Sequence, residues 1–300
     1  MSDTGKIITQ ARELCLAVPA FNIPYLPMLE PVARAIVDSG TFALIQVARL
    51  EWEKFESRSL EAVRDEYEKW KDERFMRLHL DHVPAVDEDG KTVDFLPIIH
   101  RAIAAGYQSV MIDGSRMDFQ ENVMATKSVV ETAHTAGVPV EAELGAVLGH
   151  EDGPLPPYEE LFASGRGFTD PDEAADFVTA TGVDWLSVSI GNIHGAISAA
   201  ARKEKKLEAR LNLERLSRIA EKAGIPLVLH GGSGIKPDNV LEGIRRGIAK
   251  INIGTAIRSP YEMTRDRGEA AARDAVYRAT VEEINKLELR GSAAKLGVNV

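Results

Sequence analysis

Three hundred residues with 44% hydrophobic content can bury a full core, and the length suits one large domain, since a barrel of eight βα units needs about 250 residues. The 46 acidic against 36 basic residues leave a formal net charge of −10, which argues against nucleic acid or an anionic membrane as partner but leaves room for a small phosphorylated ligand. Cys15 is the only cysteine, the M-S-D-T-G-K start lacks the features of a signal peptide, and no stretch approaches the ~18 apolar residues of a membrane span, so a cytoplasmic protein without disulfides is expected.

Short apolar runs alternate with longer helical patterns eight times, the rhythm of parallel βα units. The pattern predicts strands near 17–21, 43–48, 76–81, 108–112, 138–143, 184–190, 226–230 and 249–253. Helices are expected near 27–39, 52–74, 93–105, 119–136, 171–181, 213–223, 237–246 and 260–288. Gly40, Gly106, Gly137, Gly182, Gly224 and Gly247 stand where helices should stop, and T-D-P-D-E (Thr169 to Glu173) reads as a capped helix start. The expected fold is α/β, a single (β/α)8 TIM barrel over residues 1–300, with a helical extension near 260–288.

Two segments break the rhythm. Residues 52–74 are longer and more charged than the other helices, with Trp52, Phe55, Tyr67 and Trp70 for an apolar face; they read as an outer or oligomer-contact helix rather than a substrate element. Residues 145–168, with G-H-E-D-G-P-L-P-P-Y, are too long for an ordinary βα connection and read as a lid or catalytic loop.

Candidate chemistry gathers at strand ends. Leu227 to Gly234 reads L-V-L-H-G-G-S-G: a short apolar strand, His230, then a run whose backbone N–H groups can turn toward a phosphate. A-K-I-N-I-G-T (Ala249 to Thr255) repeats the plan, which fits the phosphate site after strands seven and eight of a (β/α)8 barrel. In R-L-H-L-D-H (Arg77 to His82), period two puts His79 and Asp81 on one face, with His82 just beyond the strand. His194 follows the sixth strand in S-I-G-N-I-H-G-A. Three imidazoles from three strand ends on one rim can ligate one divalent cation and leave positions open for substrate.

Acids accompany them. Glu141 and Glu143 share one face of the fifth strand and Asp113 ends the fourth; carboxylates inside a barrel mouth should be ion-paired or near a metal. Glu151, in the long loop, can swing over the site as a general acid/base. His100 and His134 lie on helices and carry no expected role.

L-H-L-D-H, M-I-D-G-S with E-N (Glu121, Asn122) after it, V-E-A-E-L-G, G-N-I-H-G-A, L-V-L-H-G-G-S-G and I-N-I-G-T occur in one order and spacing. In these the chain resembles the class II, metal-dependent fructose-bisphosphate/tagatose-bisphosphate aldolases, over roughly residues 15–258. L-H-L-D-H together with H-G-G-S-G is the most specific part.

The resemblance implies zinc ligands at His82, His194 and His230, a proton-transfer acid at Asp81 and a loop glutamate at Glu151 for the enediolate proton. It implies substrate-binding positions at Gly195, Gly231, Gly232, Ser233, Asn252, Gly254 and Thr255, with Asn22 near the bound ketose phosphate. Asp113 and Glu143 match acids close to an alternative metal position, and His79 resembles a residue that steadies a ligand. The implied cofactor is Zn²⁺, with Co²⁺ or another divalent cation able to replace it and a monovalent cation as an addition. The implied partners are a phosphorylated ketose, dihydroxyacetone phosphate and an aldehyde, with neither nucleic acid nor membrane, in a homo-dimer or homo-tetramer.

The reaction so implied is reversible cleavage of fructose 1,6-bisphosphate, tagatose 1,6-bisphosphate or a related ketose 1-phosphate through a metal-chelated enediolate, Asp81 serving as base and Glu151 as acid. Departures from the family pattern concern specificity: Gly254 and Ala256 replace frequent aspartates, Ala48 a common serine, and Leu148 and His150 alter the loop. Three other readings compete. A metal-dependent hydrolase on this barrel would need H-x-H on the first strand, where A-V-P-A-F-N has no histidine. A Schiff-base aldolase would need a lysine at a strand's reactive end, whereas Lys250 begins strand eight. A non-catalytic sugar-phosphate-binding or accessory subunit would not require the three histidines together with Asp81 and Glu151.

Overall fold

The computed structural model describes residues 3–145, 158–192, 209–232 and 234–298. Parallel strands close a barrel in chain order: β1 (Val18–Asn22), β2 (Ala43–Val47), β3 (Met76–Pro84), β4 (Ser109–Asp113), β5 (Val140–Leu144), β6 (Trp185–Val188), β7 (Leu227–Leu229) and β8 (Ile248–Ile253). Each agrees with its expected run to within a few residues. β3 departs most, running on to Pro84 instead of stopping at Asp81.

Helices return the chain between strands: α1 (Asp3–Glu13), α2 (Leu29–Ser39), α3 (Arg49–Lys54), α4 (Leu60–Trp70), α5 (Phe95–Ala104), α6 (Phe119–Thr135), α7 (Tyr158–Ser164), α8 (Pro171–Thr181), α9 (Leu213–Ala223), α10 (Pro237–Arg245), α11 (Thr255–Thr264), α12 (Glu269–Lys286) and α13 (Ser292–Lys295). No helix among the described residues is long and apolar enough to cross a membrane.

Two expected helices are each divided. The charged segment 52–74 is α3 and α4, because Ser59 caps α4 by accepting the Ala62 N–H at 3.1 Å and Arg58 takes a left-handed φ of 68°. The C-terminal segment 260–288 is α11 and α12, separated by a 3-10 turn over Arg265–Arg267 and by Gly268. α11 begins at Thr255, directly after β8, and α12 packs against it and against α2. α1, α7 and α13 were not expected. In the long loop, residues 146–157 lie outside the described residues, and α7 ends the segment with Tyr158 Oη donating to the Gly191 carbonyl at 2.9 Å.

Register decides what fills the barrel. Asn22 pairs with Gln46, Gln46 with His79 and His79 with Ser109. Around the ring, Glu141 pairs with Trp185, Glu143 with Ser187 and Val228 with Lys250. Side chains alternate along a strand, so these positions share the inner face. Their neighbours Leu78, Leu80, Val110, Ile112, Ala142 and Leu186 are buried and apolar on the outer face, where the helices pack. Gln46, His79, Ser109, Glu141, Ser187 and Lys250 have no exposed surface, and a polar layer of that depth is stable only if its groups bond one another.

One close approach ties this layer to a helix. Asn122 of α6 donates through Nδ2 to the Glu143 carbonyl at 3.0 Å and accepts from Thr126 Oγ1 at 3.2 Å. Gly114, just past β4, makes room: a Cβ there would lie 2.2 Å from Asn122 Oδ1 and 2.6 Å from its Cγ. Since Asn122 is buried and held at both ends, Gly114→Ala should cost about 1–3 kcal/mol of stability. Urea unfolding of the two proteins measures this, and coincident unfolding curves would contradict it.

Candidate active site

The strand ends open into a cavity of about 570 Å³ whose wall includes Asn22, Asp81, His82, Asp113, Glu143 and His230. β3 supplies two of these through an irregularity. Leu80 pairs with Val110, but the next pair is Val83 with Ile112, so β3 carries one extra residue against β4. Strict alternation would send Asp81 and His82 to opposite faces, whereas at this bulge both line the cavity. His82 therefore lies within the strand, not beyond it as expected from the sequence.

Asp81 is clamped. Asn22 Nδ2 donates to Oδ2 at 2.8 Å and Asn252 Nδ2 to Oδ1 at 2.9 Å. Burial favours its neutral form, yet His82, Lys250 and His230 together outweigh this and hold its pKa near about 2, so Asp81 is a carboxylate. Gln46 Nε2 donates to Asn22 Oδ1 at 2.8 Å and fixes the amide's orientation.

His82 and His230, two of the three expected metal ligands, meet with ring centroids 4.6 Å apart. Side-chain donor atoms of Asp81, His82 and His230 lie within 4.8 Å of one another, as do those of His82, Asp113 and Glu143. Carboxylates orient both rings: Asp113 Oδ2 lies 3.0 Å from His82 Nδ1, Glu141 Oε1 lies 2.9 Å from His230 Nε2, and Glu143 Oε2 lies 3.1 Å from His230 Nδ1. Ser115 Oγ donates to Asp113 at 2.6 Å. Burial opposes charge on both imidazoles, but the surrounding carboxylates raise both pKa values, that of His82 to about 10. Asp113 and Glu141 are held well below the usual carboxylate range despite burial, Asp113 by His82 and Glu141 by Lys250. Imidazoles and carboxylates that concentrate negative charge against burial fit a divalent cation.

Beneath this cluster lies Lys250, fully buried and the third residue of β8, not its first. Its Nζ sits 2.8 Å from Glu141 Oε2 and donates to Asn252 Oδ1 at 2.6 Å. Trp185 Nε1 donates to Glu141 Oε2 at 2.7 Å. His79 completes the layer, with Nδ1 2.8 Å from Ser109 Oγ and Nε2 3.5 Å from Glu141 Oε2. Burial, helped by the Lys250 charge, lowers its pKa to about 3, so His79 is neutral.

The expected phosphate loops face the same cavity: Gly231 and Gly232 after β7, Gly254 and Thr255 after β8. Gly231 takes a φ of 64°, open to glycine without strain, and Thr255 opens α11, whose first N–H groups are suited to an anion. Asn252, expected among the phosphate contacts, lines the same cavity, with its amide bonded to Lys250 and Asp81. His194, Gly195, Glu151, Ser233 and His150 lie outside the described residues.

Other contributors had no sequence signal strong enough to assign them. Asn192 ends the β6 turn with its Nδ2 donating to the His230 carbonyl at 2.9 Å; it lay unassigned in G-N-I-H. Glu51 lines the cavity from α3, just ahead of the residues 52–74 expected on the outside. Burial, the dominant influence, pushes its carboxyl up to about 8.

Comparison with known proteins agrees with this geometry. The family model described as "Fructose-bisphosphate aldolase class-II" matches residues 2–289. The chain is 33% identical over 255 residues to the "Probable fructose-bisphosphate aldolase" of Bacillus subtilis (strain 168), covering 83% of this chain and 80% of that one. It is 46% identical over 162 residues to the uncharacterized protein YdjI of Escherichia coli (strain K12), a match spanning 54% of this chain and only about half, 53%, of the relative. The crystal structure of the YdjI aldolase from Escherichia coli K12 superposes with a TM-score of 0.75 at 29% identity, covering 97% of this chain and 99% of that one. With a family match over nearly its whole length and a closed eight-stranded barrel beneath it, the chain belongs to the class II fructose-bisphosphate aldolases, a family that is generally metal-dependent.

Proposed function

We propose that the chain catalyses reversible cleavage of a phosphorylated ketose to dihydroxyacetone phosphate and an aldehyde, the ketose being fructose 1,6-bisphosphate, tagatose 1,6-bisphosphate or a related ketose 1-phosphate. The observation that carries this reading is Asp81. It is an ionised carboxylate fixed by two amide donors, in one cluster with His82 and His230 and in one cavity with the glycine loops. A carboxylate so placed is suited to taking a proton at a defined substrate atom.

His82, His230 and, outside the described residues, His194 are the groups assigned to hold Zn²⁺, with Asp113 and Glu143 as a second position nearby. When bound, a divalent cation supplies a Lewis acid for the ketone oxygen and for the charge that develops at C3. The remaining steps belong to the chain. The loops at Gly231, Gly232, Gly254 and Thr255, with Gly195 and Ser233, would hold the C1 phosphate through backbone N–H groups and small side chains. Asp81 removes the O4 proton, the O–H pair becomes the carbonyl of the departing aldehyde, and the C3–C4 pair remains on C3. Glu151 then delivers a proton to C3, giving dihydroxyacetone phosphate, and condensation runs the same transfers backward. Asn22 and Asn252 keep Asp81 in plane for its transfer, and Lys250, paired with Glu141, is committed to the frame and not to covalent chemistry.

Asp81→Ala should keep its metal content while cleavage falls by about 10²–10⁴-fold, the worth of one acid/base group. Coupled detection of released dihydroxyacetone phosphate alongside metal analysis measures this, and cleavage within a few-fold of wild type would assign the base elsewhere. Borohydride added with dihydroxyacetone phosphate should leave the protein mass unchanged. A reduced adduct on Lys250 or any other lysine would replace this mechanism with a Schiff base.

A further inference from the structure

Glu51 belongs to none of the roles assigned above, although it lines the same cavity. α3 starts immediately after β2 and presents Glu51 inward: Oε2 accepts the Ala48 N–H at 2.8 Å and lies 3.4 Å from Asn22 Nδ2, the same amide nitrogen that donates to Asp81 at 2.8 Å. The residue is 9% exposed. The cavity wall after β2 and β3 combines apolar Ala48, Leu50, Phe55, Pro84 and Val86 with a second acid, Glu88.

Among the described residues, the charged groups that act on Glu51 include the Asp81 carboxylate from β3 and the Arg258 guanidinium from α11. Arg258 is turned to other neighbours, lying 5.0 Å over the Phe55 ring with Nε 3.7 Å from Glu262. Two carboxyl groups therefore share one amide in a buried wall, and only one of them can be ionised at low cost. Burial, reinforced by the Asp81 charge, pushes Glu51 up to about 8, so near neutral pH it holds a proton and has an O–H to donate.

The position of this group follows from the aldolase reading, on which the inference rests. If Asp81 serves O4, the atoms beyond C4 continue past Asp81 toward the wall after β2 and β3, away from the glycine loops after β7 and β8. We propose that Glu51 is a specificity residue: as a neutral carboxylic acid it donates a hydrogen bond to a hydroxyl of the aldehyde half and selects an uncharged, polyhydroxylated aldehyde over a phosphorylated one. A phosphate at this wall would be stripped of water beside Asp81 and Glu88, with Arg258 already engaged by Phe55 and Glu262, a penalty that rejects it as the hydrogen bond favours a hydroxyl.

The test compares condensation of dihydroxyacetone phosphate with D-glyceraldehyde and with D-glyceraldehyde 3-phosphate, using zinc-loaded full-length wild type, Glu51→Gln and Glu51→Ala. Exchange of the dihydroxyacetone phosphate C3 proton with solvent, which involves no aldehyde, is recorded on the same samples. Wild type should favour glyceraldehyde in kcat/KM by about tenfold or more, and Glu51→Ala should reduce that ratio by about tenfold, the worth of one buried hydrogen bond. Ionisation of Glu51 removes its donor, so the wild-type rate with glyceraldehyde should fall above pH about 8, while Glu51→Gln, which keeps an N–H donor, should retain the preference and lose that alkaline fall. A wild-type preference for glyceraldehyde 3-phosphate, or an unchanged ratio in Glu51→Ala, would overturn the inference while normal proton exchange left the aldolase reading standing. Absence of proton exchange in wild type would overturn that reading and this inference together.

Discussion

Glu141 sits inside the barrel with no exposed surface, and a carboxylate there costs several kcal/mol unless it is neutralised and fully hydrogen-bonded. Lys250, equally buried, neutralises it from the opposite side of the interior, and Trp185 and His230 complete its bonding. The functional cluster is built upward from this pair. Through Glu141 it reaches His230, and through the Lys250–Asn252 bond it reaches Asp81. The proposed cation-holding imidazole and the proposed proton-transfer carboxylate thus share one frame. Removing one partner of such a buried pair typically costs about 3–5 kcal/mol, because the other is left as an uncompensated charge.

The same frame explains why the mouth suits a cation. Asp81, Asp113, Glu141 and Glu143 bring four carboxylates together, and Lys250 is the lysine paired with one of them. The excess is balanced by charge drawn onto His82 and His230, two rings 4.6 Å apart, against the effect of burial. Such an arrangement is strained for imidazoles by themselves and natural around a divalent ion. Glu51 extends the logic to the outer wall. Burial there, with the Asp81 charge adding to it, pushes the carboxyl up to about 8.

Much of this was legible in the chain. The alternation of apolar runs with glycine-stopped helices located the eight strands, because each βα unit is encoded locally. Strand-end histidines and glycine loops marked the rim, since period two and the known polarity of βα barrels fix where such residues point. What escaped was set by contacts across strands. The extra residue that turns both Asp81 and His82 into the mouth exists only in the pairing of β3 with β4, so a single-strand reading ended β3 at Asp81. Lys250 looked like a strand start because nothing in A-K-I-N-I reveals Glu141 across the barrel. Glu51 went unassigned just ahead of the charged run 52–74, which reads as one outer helix until Arg58 and Ser59 divide it.

The central claim is that His82, His230 and the carboxylates around them form a cation site on which turnover depends. Metal content and ketose-phosphate cleavage, measured on the same sample before chelation, after chelation and after stepwise return of Zn²⁺, test it most directly. The account predicts about one ion per chain at full activity, loss of both together, and recovery of cleavage in proportion to the metal restored. Undiminished cleavage by metal-free protein would contradict it.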